Sequence, residues 1–215
     1  MKPIEFLIIK LIDHKLIHLL KQNNRINSFY FYIVIYTLTH TIQKPYQQMS
    51  GESIQVAVRV RPFATYEKEK GAKCIVSMHN GTQTVVSDPS SGKPKQFTFD
   101  FSFNSHVERN HPEYASNDDV YKKLGVTVLD NAWNGFNCCL FAYGQTGSGK
   151  SYSMMGYGED YGIIPRALRR IFDRIKEAEA DGKTYHVECS MLEIYNEQIR
   201  DLFSSVPRNK LPKGK

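Results

Sequence analysis

One eight-residue stretch constrains the fold of this chain more than any other: Gly144, Gln145, Thr146, Gly147, Ser148, Gly149, Lys150 and Ser151. It fits the pattern G-x-x-x-x-G-K-[ST] and follows the apolar run 138–143, which predicts a buried strand. Glycines let consecutive N–H groups point inward, and the start of the following helix adds positive charge, so the stretch predicts a phosphate cradle. Lys150 would reach the β- and γ-phosphates, and the Ser151 hydroxyl would ligate Mg²⁺. A glycine-rich turn that matches by chance is the alternative.

Strands and helices are predicted on both sides of this loop. Residues 53–62 alternate apolar and smaller or polar side chains and predict a strand with one face in a core, ended by Pro62. Helices are predicted over 119–134, capped by Asn117 or Asp118, and from Pro165 onward. Further predictions are short β-prone pieces at 73–78, 82–87 and 96–103, a strand at 184–195 and a helix at 196–203. With 41% hydrophobic residues, the chain is predicted to be an α/β protein with a sizeable core.

The first 48 residues differ in composition from the rest. They contain no Gly and no Ala, whereas all 14 glycines lie from Gly51 onward. Apolar spacing over 4–20 allows a short amphipathic helix, and the apolar run 29–38 is shorter than the roughly 20 residues of a membrane-spanning helix. We therefore predict a spurious or disordered extension over 1–48 and a domain over 49–215. A helix on a membrane surface is the alternative for the extension.

Charge and cysteine content narrow the range of partners. Residues 1–48 hold four of the six net positive charges, so the high pI does not indicate a nucleic-acid partner, and we expect none. The four cysteines form no C-x-x-C pair, and two of them, Cys138 and Cys139, are adjacent in the predicted buried strand. This pattern is typical of reduced thiols in a cytosolic protein and not of disulfides or a metal site.

Three separated motifs occur along the chain in a fixed order. They are Val-Arg-Val-Arg-Pro at 58–62, Phe-Ala-Tyr-Gly-Gln-Thr-Gly-Ser-Gly-Lys-Ser at 141–151 and Leu-Glu-Ile-Tyr-Asn-Glu at 192–197. Together they resemble the kinesin motor domain over about 49–207, and the segments 151–156 and 162–165 resemble its third, cargo-transporting class. The resemblance implies an α/β fold of the P-loop NTPase type, with a mixed central sheet flanked by helices. It also implies a sheet incomplete at the C-terminus, because the family's domain continues beyond residue 215.

The resemblance extends to an adenine-binding side of the site. In kinesins, the positions of Arg59, Arg61 and Pro62 line the adenine, and the position of Tyr152 packs on its other face. An arginine plane, a proline and an aromatic ring are chemically suited to enclose a purine. Considered without the family, Arg59 and Arg61 are equally well explained as edge-strand charges and Tyr152 as a packing aromatic. Glu193 lies in a motif near the microtubule-facing side of kinesins, but a solvated carboxylate explains it as well.

A kinesin motor hydrolyses ATP with Mg²⁺ and moves along microtubules. The resemblance therefore implies a microtubule-stimulated ATPase of the cytoplasm and cytoskeleton, with tubulin as partner, ATP and Mg²⁺ as cofactors, and Lys150 and Ser151 as catalytic residues. Membrane cargo would be bound only through regions outside these residues, which also set oligomeric state. Kinesins place the attacking water with Ser-Ser-Arg and Asp-x-x-Gly switches, and neither motif occurs in the 215 residues. We therefore expect this chain alone to lack turnover.

Two other functions stay open from the sequence. One is a nucleotide-binding protein without turnover or motor activity, which keeps the phosphate cradle and lacks the switches. The other is a different nucleotide hydrolase such as a transporter ATPase. That function predicts an apolar strand ending in an acidic residue that holds the Mg²⁺ shell, and the sequence contains no such strand.

Overall fold

The computed structural model describes residues 4–11, 54–182, 184–195 and 198–205. Its strands are β1 (Ile4–Leu11), β2 (Ile54–Val60), β3 (Val76–His79), β4 (Gln83–Ser87), β5 (Pro94–Thr98), β6 (Phe101–Asn104), β7 (Cys138–Tyr143), β8 (Gly156–Tyr157), β9 (Asp160–Tyr161), β10 (Leu192–Tyr195) and β11 (Gln198–Asp201). Its helices are α1 (Thr65–Glu69), α2 (Asn117–Val120), α3 (Val126–Trp133), α4 (Lys150–Met154) and α5 (Ile163–Glu179). The described residues up to 176 belong to one compact unit, and those from 177 onward belong to a second.

The first unit is built on a mixed four-stranded sheet in the order β6-β2-β1-β7. Strand β2 pairs with β6 in parallel, whereas β1 pairs antiparallel with β2 on one side and with β7 on the other. In this register Ile4 lies opposite Val60, and Leu11 lies opposite Cys138. The three strands β2, β6 and β7 therefore run in the same direction, with β1 running against them.

The conformation of β1 differs from the one that its apolar spacing allowed. Apolar spacing allowed an amphipathic helix over 4–20, but Ile4–Leu11 is a strand between two other strands. Backbone pairing on both sides favours an extended conformation for such a segment, whatever its periodicity. Residues 12–48 lie outside the described residues, and the division into an extension and a domain at residue 49 stays a prediction.

Strand β2 is buried on both faces at its C-terminal half. Ala57 packs into one cluster with Phe103, Val120, Leu124 and further residues. This cluster includes side chains of the helices α2, α4 and α5. Its neighbour Val58 points to the opposite face and packs with Val60 of the same strand and with Val76 and Met78 of the small antiparallel sheet β3-β4-β5. The prediction of a strand with one buried face is therefore wrong for this half of β2. Successive side chains of a strand point to opposite faces of the sheet. Since Ala57 and Val58 are both buried, both faces of the sheet are covered at this point.

The helix predicted over 119–134 exists, but its middle is irregular. A π-helical turn at Tyr121–Gly125 separates α2 from α3. The N-terminal cap is Ser116, not Asn117 or Asp118, since the Ser116 hydroxyl accepts from the backbone N–H of Asp119. Asn117 is instead buried in the first turn of α2.

Other elements differ from their predictions in their bounds or in their type. The helix predicted from Pro165 begins at Ile163. The strand predicted over 184–195 is limited to β10, and the short helix predicted over 196–203 is wrong. There β11 forms an antiparallel hairpin with β10, and Arg200 is paired with Glu193 at 3.4 Å. Cross-strand pairing within the second unit therefore outweighs the helical spacing of apolar residues.

The four cysteines lie in described residues, whereas the apolar run 29–38 that was considered as a membrane segment lies outside them. All four cysteines are free thiols in the structure; Cys138 and Cys139 are half-buried in β7, and burial raises the pKa of both thiols, that of Cys138 to about 11. Within the described ranges, no group of His, Cys, Asp or Glu is arranged to hold a metal ion. Among the same residues, no helix combines the length and the apolar character needed to cross a bilayer.

Candidate functional site

The glycine loop connects the end of β7 to the start of α4, as the sequence predicts. Gly147 has φ +78° and Gly149 has φ +116°, a backbone region that side chains disfavour. A Cβ atom built on Gly147 would meet no atom within 4 Å, so the loop borders an open space that a larger residue would enter. The loop thus has the backbone conformation and the space that a phosphate cradle requires.

Lys150 folds back over this loop. Its Nζ donates to the carbonyl oxygen of Gly144 at 2.8 Å and to that of Gln145 at 2.9 Å. Both acceptors are neutral, so these contacts position the ammonium without cancelling its charge. An anion entering the loop would meet a positive charge that is already held in place.

The two serines of the loop differ in exposure. Ser151 is exposed at the start of α4, where its hydroxyl is accessible to a hydrated cation. Ser148 is fully buried, and its backbone N–H donates to Gln145 O at 3.1 Å. Within the described residues its Oγ has no hydrogen-bond partner. Thr146 and Gln145 are exposed at the tip. The donor set of this loop, a lysine, a hydroxyl and backbone amides, fits a Mg²⁺-bound phosphate chain.

Arg61 connects the end of β2 to the loop. Its Nε donates to the carbonyl oxygen of Gly147 at 2.7 Å. Its two terminal nitrogens donate to the two carboxylate oxygens of Glu67, at 2.7 and 2.9 Å. The Glu67 carboxylate raises the pKa of the Arg61 guanidinium above its ordinary value. Pro62 is exposed next to this pair, and its carbonyl accepts from Arg61 at 2.6 Å.

Arg59 has a different environment, because only 2% of it is exposed. It donates to the Ser105 hydroxyl at 2.8 Å, to Asn117 Oδ1 at 2.7 Å and to the Ser153 hydroxyl at 2.8 Å. Its guanidinium carbon lies 5.3 Å from the centre of the Tyr152 ring. The explanation of Arg59 as an exposed edge-strand charge is therefore wrong. Its predicted role beside an adenine stays a prediction, and its contacts are those of a buried structural hub.

Tyr152 is half-buried at the side of this hub. Its hydroxyl donates to the carboxylate of Asp160 on β9. Burial, with this hydrogen bond, raises the pKa of Tyr152 to about 12. Asn117 Nδ2 donates to the carbonyl oxygens of Tyr152 and Asp160, at 3.4 and 3.2 Å. These contacts attach the β8-β9 hairpin to α2 and to the helix that follows the loop.

The structure therefore brings together all the residues predicted for the site, but in two groups. Arg61 contacts the loop at Gly147 and Pro62 follows it in the chain, whereas Arg59 and Tyr152 meet in the hub, with Tyr152 on α4 itself. Sequence reasoning missed Glu67, Asn117 and Asp160. Only Glu67 had a local signal, an acidic residue at the third position of a helix that starts after a proline, where its carboxylate accepts from the Ala64 N–H.

A strand, a glycine loop with its lysine and a helix, set in an α/β sheet, define a protein of the P-loop class. A family model described as the kinesin motor domain matches residues 59–213. The chain therefore belongs to the kinesin motor domain family.

Curated relatives agree with this assignment. The chain is 45% identical over 166 residues to the kinesin-like protein KIF1C of Homo sapiens, covering 76% of this chain and 15% of the relative. It is 46% identical over 166 residues to KIF1A of Rattus norvegicus, covering 75% of this chain and 10% of the relative. It is 47% identical over 161 residues to KIF13A of Mus musculus, covering 72% of this chain and 9% of the relative. These relatives support the resemblance to the third kinesin class.

Solved structures give the same result for the fold. A KIF14 structure, residues 391–755 with ADP in complex with a microtubule, matches with a TM-score of 0.62 and 40% identity. The match covers 74% of this chain and 43% of that chain. A KIF14 dimer with AMP-PNP in complex with a microtubule matches with a TM-score of 0.63 and 39% identity, covering 72% of this chain and 42% of that one. This chain thus spans less than half of those motor structures.

Proposed function

We propose that residues 144–151 bind the phosphates of ATP or ADP with Mg²⁺, and that this chain is the nucleotide-binding part of a kinesin-type motor. In the whole protein it would couple ATP hydrolysis to movement along microtubules, as an enzyme of the cytoplasmic cytoskeleton. The observation that carries the proposal is the ammonium of Lys150, held over the glycine loop by two neutral carbonyls. Microtubules enter as the partner because the matching KIF14 structures are described as microtubule complexes.

Each predicted site residue has a part in this proposal. Lys150 would neutralise the phosphates, and the exposed Ser151 hydroxyl would ligate Mg²⁺. Bound Mg²⁺ would neutralise charge on the phosphates. Arg61, Pro62 and Tyr152 would border the adenine, with Arg59 acting from the interior through Tyr152. Glycines at 144, 147 and 149 would leave space for the phosphates, with Gln145, Thr146 and Ser148 supplying backbone amides.

Replacing Lys150 tests the site. We expect Lys150→Ala to weaken binding of a fluorescent ADP with Mg²⁺ by about 100-fold, because a charge-assisted interaction with phosphate is lost. Lys123→Ala is the matched control, since Lys123 is exposed on the π-helical turn and the same charge is removed. Equal affinities in the wild type and Lys150→Ala would refute the assignment of the loop.

Turnover by these 215 residues alone is a separate matter. We propose that the chain binds nucleotide without microtubule-stimulated hydrolysis, because it contains neither Ser-Ser-Arg nor Asp-x-x-Gly. Placement of the attacking water and stabilisation of the developing charge supply most of the rate in phosphoryl transfer.

Phosphate release with and without microtubules tests this second proposal, with the motor domain of KIF1A as a positive control. We expect stimulation of the control and a rate for this chain that microtubules do not change. A stimulated rate comparable with that of the control would show that these residues contain a complete catalytic apparatus.

A further inference from the structure

The Glu67 carboxylate accepts hydrogen bonds from Arg61 and from the backbone at the start of α1. Both of its carboxylate oxygens accept from Arg61, and one of them also accepts from the Ala64 N–H at 2.7 Å. The Glu67 N–H in turn donates to Ala64 O at 3.0 Å. Carboxylate and backbone are therefore both attached to the start of α1. The ion pair is partly buried, with 18% of the Arg61 side chain and 13% of the Glu67 side chain exposed.

This arrangement fixes the direction of the third Arg61 donor. A guanidinium is planar, so holding both terminal nitrogens on one carboxylate sets the direction of the Nε–H bond. That bond points to the carbonyl oxygen of Gly147, 2.7 Å away, in the middle of the phosphate loop. The hydrogen bonds of the Glu67 carboxylate described here join it to Arg61 and Ala64, and Arg61 in turn reaches the loop.

Gly147 is a position in the loop where a contact of this kind can restrict the backbone. This residue has φ +78° and no atom within 4 Å of a built Cβ, so side-chain packing does not restrict it. The Gly147 carbonyl and the Ser148 N–H belong to one planar peptide unit. Arg61 holds the carbonyl, and Gln145 O accepts from the N–H at 3.1 Å. The peptide plane is thus fixed at both ends, one of them by a residue 86 positions away in the sequence.

We propose that Glu67 and Arg61 form a clamp that positions the phosphate loop for nucleotide binding through the carbonyl of Gly147. Glu67 is a positioning residue in this clamp, and the inference rests on the function proposed above. It extends the role of Arg61 from the adenine side to the conformation of the loop, and it assigns a role to α1, which carries Glu67.

The test uses the 215-residue chain with Glu67→Gln, which keeps the shape of the side chain and removes its charge. We expect the affinity for fluorescent ADP with Mg²⁺ to fall about tenfold, and hydrogen exchange of the amides in 144–151 to accelerate. Glu69→Gln is the matched control, because Glu69 is exposed on the same helix and loses the same charge. In the control, affinity should stay within about twofold of the wild type.

A double-mutant cycle shows whether Glu67 acts through Arg61. If it does, the double variant Arg61→Ala with Glu67→Ala binds ADP no more weakly than Arg61→Ala alone. Losses that multiply would overturn the proposal, because Glu67 would then act independently. Unchanged affinity and unchanged loop exchange in Glu67→Gln would overturn it as well.

Two further measurements decide the question if Glu67→Gln does not fold or if the wild type binds no ADP. If Glu67→Gln does not fold, Arg61→Lys replaces it, since this variant keeps the charge and loses the planar fork. Unchanged exchange of the loop amides in Arg61→Lys would then overturn the clamp. If the wild type binds no ADP, the proposed function fails, whereas exchange over 144–151 in the variants still decides whether the clamp positions the loop.

Discussion

Arg59 and Arg61 lie two residues apart at the end of one strand, but they hold different regions of the molecule. Arg59 is the centre of a buried hub whose acceptors are hydroxyl and amide oxygens of three distant segments. Arg61 lies nearer the surface, opposite a carboxylate, and its remaining donor reaches the phosphate loop. The first arginine donates hydrogen bonds to neutral hydroxyl and amide oxygens, whereas the second forms an ion pair with Glu67.

The difference shows how one motif can contribute separately to stability and to binding. Replacing Arg59 would leave several buried oxygen atoms without a donor, and each unsatisfied buried group costs about 1–3 kcal/mol. Replacing Arg61 would expose a carboxylate that water can reach, so the cost to folding is smaller. We expect the loss of the Arg61 guanidinium to affect mainly the conformation of Gly147.

The largest expected effect tests this division directly. We expect Arg59→Met to lower the free energy of unfolding by about 3–5 kcal/mol, because buried oxygen atoms of Ser105, Asn117 and Ser153 lose the hydrogen bonds that the guanidinium donates. We expect Arg61→Met to lower it by about 1–2 kcal/mol. Urea unfolding curves measure both.

The same two variants exchange their order in a binding measurement. Under conditions where both are folded, Arg61→Met should lose more affinity for ADP than Arg59→Met does. Equal losses of stability in the two variants, or a larger loss of affinity in Arg59→Met, would show that the hub and the clamp are not separate in function.

A smaller effect is expected from the hydroxyl of Tyr152, at the edge of the hub. Tyr152→Phe removes its hydrogen bond to Asp160, and we expect a loss of about 1 kcal/mol at neutral pH. The folded state raises the pKa of Tyr152 to about 12, above the ordinary value of 10. The neutral phenol is therefore favoured by folding, and its contribution is complete below pH 10 and is lost as the pH rises from 10 to 12.

The measurement is the stability of the wild type minus that of Tyr152→Phe as a function of pH. The difference should be constant up to about pH 9 and should decrease above pH 10. Tyr121→Phe is a useful comparison, because burial also raises the pKa of Tyr121 without the Asp160 bond. A difference that stays constant to pH 12 would mean that the Tyr152 hydroxyl does not ionise differently in the folded protein.

Local patterns in the sequence predicted the loop and the elements beside it correctly. Eight residues from Gly144 to Ser151, with an apolar strand before them, were enough to place a glycine loop between β7 and α4. The reason is that its conformation depends on glycines and on backbone geometry within the loop. The existence of strand β2, though not the burial of both its faces, and the existence of the helix after Ser116 followed from spacing in the same way.

The rest depended on partners distant in the chain. Arg59 contacts residues 46, 58 and 94 positions away, and no periodicity reports such pairings. The pairing of Glu67 with Arg61 is close in sequence, but its purpose appears only when Gly147 is beside them. The strands β1 and β11 were missed because neighbouring strands decide their conformation, whereas the spacing of apolar residues alone favoured helices there.

The π-helical turn at Tyr121–Gly125 has a consequence for the length of this region. The fully or nearly buried residues Val120, Leu124 and Leu129 are spaced by four and then five positions. A regular helix would turn the third of them away from the core, and the wider turn restores its direction. In effect the helix has accommodated one inserted residue. Removing Gly125, the last residue of this turn, should therefore leave a regular helix in which the three residues are spaced by four and four positions and still face the same core.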